Sequence, residues 1–141
     1  MSEHQLLNDI YQNARMGMQA IPQLINMTED TRFRDTLTSQ MAEYTKISNK
    51  AAEMLKKQWD SPEDISPMSK VSSYVMTEMK TLTDKSPSKM AEMMIQGSSM
   101  GITTMIKSIH DHPEADKNVT NLAEHLVEIE ERNIRELKEY L

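Results

Sequence analysis

The 141 residues make a chain of single-domain size (1–141), and a hydrophobic content of 38% supplies one core. The absence of cysteine excludes disulfides, thiol catalysis and thiolate metal sites. A formal charge of −6, with 16 Lys and Arg dispersed among 22 acids, leaves no concentrated basic face for phosphate and argues against a nucleic-acid partner.

The opening stretch MSEHQLLNDIYQNARM holds Glu3 and Asp9 and no continuous apolar run. It reads as neither a signal peptide nor a membrane span, so the expected location is the cytoplasm. From residue 3 to 27, Leu7, Ile10, Ala14, Gly17, Ile21 and Leu24 recur at spacings of three and four, the seam of a long helix. Pro22 lies inside it and predicts a kink near Met18. Thr28 reads as the N-cap of a second helix, 28–58, with Phe33, Leu37, Gln40, Tyr44, Ile47 and Ala51 on its seam.

The pattern breaks between Trp59 and Pro87. Within the break a shorter amphipathic stretch, 66–82, carries Met68, Val71, Val75, Met79 and Leu82; Ser61-Pro62 and Ser86-Pro87 each read as an N-cap followed by proline at the first helical position. A third long helix, 87–110, points Ala91, Met94, Ser98, Gly101 or Ile102, Met105 and Ile109 inward, and a fourth, 118–140, points Val119, Leu122, Leu126, Ile129, Asn133, Leu137 and Tyr140 inward. Glu128 with Arg132 and Glu131 with Arg135 form i,i+4 pairs in the favourable order.

All three glycines, Gly17, Gly97 and Gly101, fall in mid-helix rather than at turns. Glycine there costs roughly 0.5–1 kcal/mol against alanine, which predicts helices in unusually close approach, with Gly17 facing Gly97 or Gly101. Short turns make the first and second long helices antiparallel neighbours, and likewise the third and fourth. The long middle connection is able to run the length of the bundle, which predicts an all-α, up-down-down-up four-helix bundle with a short crossover helix.

The segments LNDIYQNARMGMQAI, MAEMMIQGSSMGI and LAEHLVEIEERNIRELKEYL are similar to parts of small uncharacterised ferritin-like four-helix-bundle proteins of anaerobic bacteria. The resemblance spans most of the chain and implies the ferritin-like fold; that group carries no assigned activity.

A di-metal centre in such a bundle needs a Glu from each of two helices and a Glu-x-x-His motif from each of the other two. Met1, Lys107, Ile109 and Leu122 stand three residues before His4, His110, His112 and His125, so no histidine qualifies. Glu43, Glu92 and Glu128 are the nearest carboxylates in depth, but all fall off the apolar stripe. His4, His110 and His112 meet at one end in the crossover topology, where a loose transition-metal site is conceivable beside the plainer reading of exposed turn histidines. The Met16/Met18, Met76/Met79 and Met90/Met93/Met94 spacings suit Cu(I) on paper. Flexible filling around the glycines is the stronger reading, for Met18, Met79, Met90 and Met94, with Met16, Met76 and Met93 left for an exposed patch.

Gln40, Ser98 and Asn133 are the interior polar residues. They serve either as register devices, bonded to one another, to Tyr44 or to water, or as the lining of a small pocket. The expected function is non-catalytic, by self-association as a homodimer or by binding a protein partner, with no cofactor. The alternative is a small-ligand binder, or a ferritin-like metal-carboxylate oxidase descendant with a degenerate site.

Overall fold

Three-four spacing of apolar residues gives every long segment a helical stripe, and burying those stripes against one another fixes the architecture. The computed structural model describes residues 2–58 and 70–141. Its elements are α1 (Ser2–Met27), α2 (Thr31–Gln58), α3 (Lys70–Lys80), α4 (Pro87–Asp111) and α5 (Lys117–Lys138), with no strand among the described residues. The protein is all-α.

The core is aliphatic, with Leu6, Leu7, Ile10, Ile21 and Leu24 of α1 fully buried against Phe33, Leu37 and Leu55 of α2, Met90 of α4 and Leu126 of α5. Each such side chain contributes roughly 1.5–3 kcal/mol by leaving water.

Hydrogen bonds between helices give their directions. Glu3 accepts from the Asp116 amide at 2.9 Å, which joins the starts of α1 and α5. Ser108 donates to Asp9 at 2.6 Å, so the end of α4 lies beside the start of α1. At the opposite end Thr36, near the start of α2, meets Tyr140, just beyond α5, at 2.7 Å. Hence α1 and α5 run one way, and α2 and α4 the other. α1 packs on α2, α4 and α5, while α5 also packs on α2 and α4; α3 lies on α4 and, less extensively, on α1.

Several boundaries differ from the sequence reading. The N-cap of α2 is Asp30, not Thr28: the Asp30 carboxylate accepts from the Phe33 amide at 2.8 Å, and a carboxylate is also favoured at the positive end of the helix dipole. Thr28 closes the turn before it, through its hydroxyl to the Asp30 amide and its carbonyl to Arg34. Ser86 caps α4 by accepting from the Lys89 amide, with Pro87 in the first turn. Pro22 sits inside α1 without ending it. The amphipathic segment 66–82 appears as α3 over a shorter span; Met68 and Ser61-Pro62 lie outside the described residues. Arg132 pairs across to Glu43 of α2 at 3.5 Å rather than along its own helix with Glu128, which stands beside His125.

Candidate functional site

Midway along the interior, five helices converge on one carboxyl group. Glu130 of α5 is only 3% exposed, and Tyr44 of α2, 2% exposed, donates its phenol hydrogen to Glu130 Oε1. The opposite face of Tyr44 lies on α1: a Cβ added at Gly17 would stand 2.5–2.9 Å from three atoms of the ring. Glu130 Oε2 lies against α4, 2.7 Å from where a Cβ on Gly101 would be, with Asn13 Oδ1 of α1 at 3.2 Å from the same point. Asn13 also donates to the Gly101 carbonyl at 3.1 Å.

The glycines therefore do not face one another, as the sequence suggested. Each makes a notch for a side chain from another helix: Gly17 for the Tyr44 ring, Gly101 for the Glu130 carboxyl and Asn13, and Gly97 for Val75 of α3. None has a positive φ, so the missing side chain, not backbone freedom, is what each supplies.

A small cavity of about 30 Å³ remains between these groups, lined among others by Asn13, Tyr44, Val75, Ser98 and Glu130. Such a space admits water-sized occupants only. Among the described residues no Lys, Arg or His lines it. Burial without a cation pushes the Glu130 carboxyl up from its ordinary 4.5 to about 8, with the Tyr44 hydrogen bond pulling the other way. At neutral pH Glu130 is thus predominantly the neutral acid, with one hydrogen to donate as well as oxygens that accept. Tyr44 is raised well above 10 by burial and then by Glu130, so it stays a phenol.

One turn along, Gln40 and Asn133 are each 1% exposed. Gln40 donates to the Asn133 main-chain carbonyl at 3.4 Å and to Glu136 at 3.1 Å, which leaves Gln40 Oε1 and Asn133 Nδ2 buried and unpaired. Ser98 is buried beside the cavity, while Gln40 and Asn133 do not line it.

The other candidate residues lie apart from this centre. Glu43 is half-buried on the outside of α2 between Lys46 and Arg132, Glu92 is exposed beside Lys89, and Glu128 is exposed beside His125. His4 is half-buried next to Asn8, His110 is exposed, and His112 bonds the Ser108 carbonyl at 2.8 Å. Among the described residues no three His, Asp or Glu side chains are grouped to hold a metal ion. Met93 is 2% exposed and belongs to the core, so it does not join Met76, 51% exposed, in a surface patch.

Sequence reasoning missed Glu130 and Asn13. The signal was there: Ala123, Leu126, Glu130, Asn133 and Leu137 repeat at three and four, as do Leu6, Ile10, Asn13, Gly17, Ala20 and Leu24. Either stripe reads as a seam once a polar residue is allowed on it. No known protein family, curated protein or solved structure matches this chain.

Proposed function

We propose that this protein is a ferritin-like, up-down-down-up bundle that acts without catalysis, through self-association as a homodimer or through a protein partner. The parallel run of α1 and α5, opposed by α2 and α4, supports the topology. The observation that carries the functional reading is the narrowness of the interior space. Where a ferritin-like bundle would carry its chemistry, the glycine notches are filled by Tyr44, Glu130 and Asn13, and about 30 Å³ is left. A small-molecule site occupies several hundred Å³, so the interior does not accept such a ligand.

Function then falls to the surface. A shallow cleft of about 640 Å³ runs along α4, lined by Met100, Thr103, Lys107 and Ser108 with Asp9 of α1, and the same helix exposes Ile106. No helix of the described residues is long and apolar enough to cross a membrane.

Light scattering coupled to size exclusion, from micromolar to millimolar protein, tests the reading: a dimer is expected, and Ile106→Glu with Met100→Glu should return it to monomer. A protein that stays monomeric at every concentration and captures no partner in cross-linking overturns it. Stoichiometric iron or manganese in protein purified without chelators would instead favour the metal-carboxylate alternative and direct attention to Glu43, Glu92 and Glu128.

A further inference from the structure

The Glu130 cavity has four walls built from helices of 22 to 28 residues and a fifth built from the 11-residue α3. Among the described residues α3 lines it through Val75, which sits in the notch of Gly97 with its Cγ2 3.3 Å from that residue's Cβ position. Its other described holds are modest. Tyr74 and Met79 are half-buried, Tyr74 donates to Gln96 at 2.5 Å in an exposed hydrogen bond, and Met76 is exposed.

Behind Val75 stands a carboxyl that tolerates burial in one protonation state only. As the acid, Glu130 accepts from Tyr44 and keeps a hydrogen of its own. As the carboxylate, it would face one phenol donor and no cation among the described residues, and a charge at this depth demands water. Among the described residues, the side chains that line the cavity with it are Asn13, Met16 and Ala20 of α1, Tyr44 of α2, Val75 of α3, and Met94 and Ser98 of α4. Of these only Tyr44 titrates, and burial keeps it protonated. The existing space holds one or two waters at most, so solvating a carboxylate requires the cavity to open. The short wall is the one with least to lose.

We propose that α3 is a lid over a polar site formed by Glu130, Tyr44, Asn13 and Ser98, shut while Glu130 holds its proton and opened to water when the proton leaves. The ligands of the site are a proton and, in its place, water. The lid makes access to the bundle interior depend on pH, while the four long helices stay packed.

Amide hydrogen exchange on the full chain tests this by comparing the parent with Glu130→Gln at the same pH, where intrinsic exchange chemistry is shared. Near pH 4.5, the ordinary value of the carboxyl, the α3 amides should be close to equally protected in both proteins. As pH rises from there to about 8, α3 of the parent should exchange progressively faster than α3 of the variant, levelling off above 8 at a difference of at least about tenfold, with α1 and α5 unchanged. Equal α3 protection at pH 9 overturns the proposal, as does a loss shared uniformly by α1 and α5, or an α3 already unprotected near pH 4.5. Tyr44→Phe provides an independent check that keeps the ring on Gly17. Removing the donor that stabilises the carboxylate must move α3 opening to higher pH, and a midpoint that stays or falls refutes the lid.

Discussion

Two polar rungs cross the same interior one helical turn apart, and the chain accommodates them by opposite means. Tyr44 and Glu130 form one, with glycine notches at Gly17 and Gly101 that give ring and carboxyl their space. Gln40 and Asn133 form the other, four residues away on α2 and three on α5, with no notch, and each keeps one polar atom buried and unpaired. The first rung is well housed but depends on a proton. Neither amide of the second carries a titrating proton, and the rung has a cost of about 1–3 kcal/mol for each unpaired buried group. Spatial fit and electrostatic fit are therefore separate properties of a buried polar group.

The largest expected effect separates the rungs by pH. Glu130 holds its proton up to about 8 when folded and has an ordinary value of 4.5 when unfolded. Its contribution to stability is complete below about pH 4.5, declines as pH rises through the interval, and levels off above about 8. The shift corresponds to a loss on the order of 3–5 kcal/mol. Urea unfolding of the parent should show this decline, and Glu130→Gln should remove most of it. Gln40→Leu should leave the slope unchanged. A parent as stable at pH 9 as at pH 5 would mean that the carboxyl is hydrated or paired after all.

Next in size is the notch under the tyrosine. Alanine at Gly17 would gain up to about 1 kcal/mol of helix propensity but push on three ring atoms that are wedged between helices. Overpacking of this kind typically costs 1–3 kcal/mol, so Gly17→Ala should lower stability by about 1–2 kcal/mol in chemical denaturation. If it stabilises, the ring has room to retreat and the notch is incidental.

How far the sequence alone leads differs between backbone and site. The helices were legible because three-four spacing, Ser86-Pro87 and the mid-chain break all act locally. The site was not, because its identity depends on which of two overlapping stripes on α5 turns inward. Leu126-Ile129-Asn133 and Leu126-Glu130-Asn133 both satisfy helical spacing, and both Ile129 and Glu130 are buried. Preferring isoleucine over glutamate on an apolar seam discards the one residue whose burial matters. The glycines pointed correctly to close approach but not to what approaches, since an absent side chain does not specify whether backbone, ring or carboxyl fills its place.

A smaller effect is expected from the amide rung. Gln40→Leu with Asn133→Leu removes the unpaired acceptor and donor together, so the pair should be neutral or more stable by about 1 kcal/mol in thermal melts. A double variant weaker by 2 kcal/mol or more would show that the amides hold a bridging water or fix the register of α2 on α5.

The smallest effect belongs to Gly97, and it tests whether notches on the long helices differ from the notch under α3. A Cβ there meets only Val75 Cγ2, at 3.3 Å, a contact relieved by a few tenths of an ångström. Val75 belongs to a short helix with an exposed hydrogen bond and an exposed neighbour, so α3 is able to yield where the Tyr44 ring is not. Against that small push stands a gain of up to about 1 kcal/mol from replacing glycine in mid-helix. Gly97→Ala should therefore leave global stability within about 0.5 kcal/mol of the parent or raise it, while exchange protection falls in α3 alone. A global loss above 1 kcal/mol would place α3 among the rigid walls, and would erase the distinction between the one yielding contact and the two that do not yield.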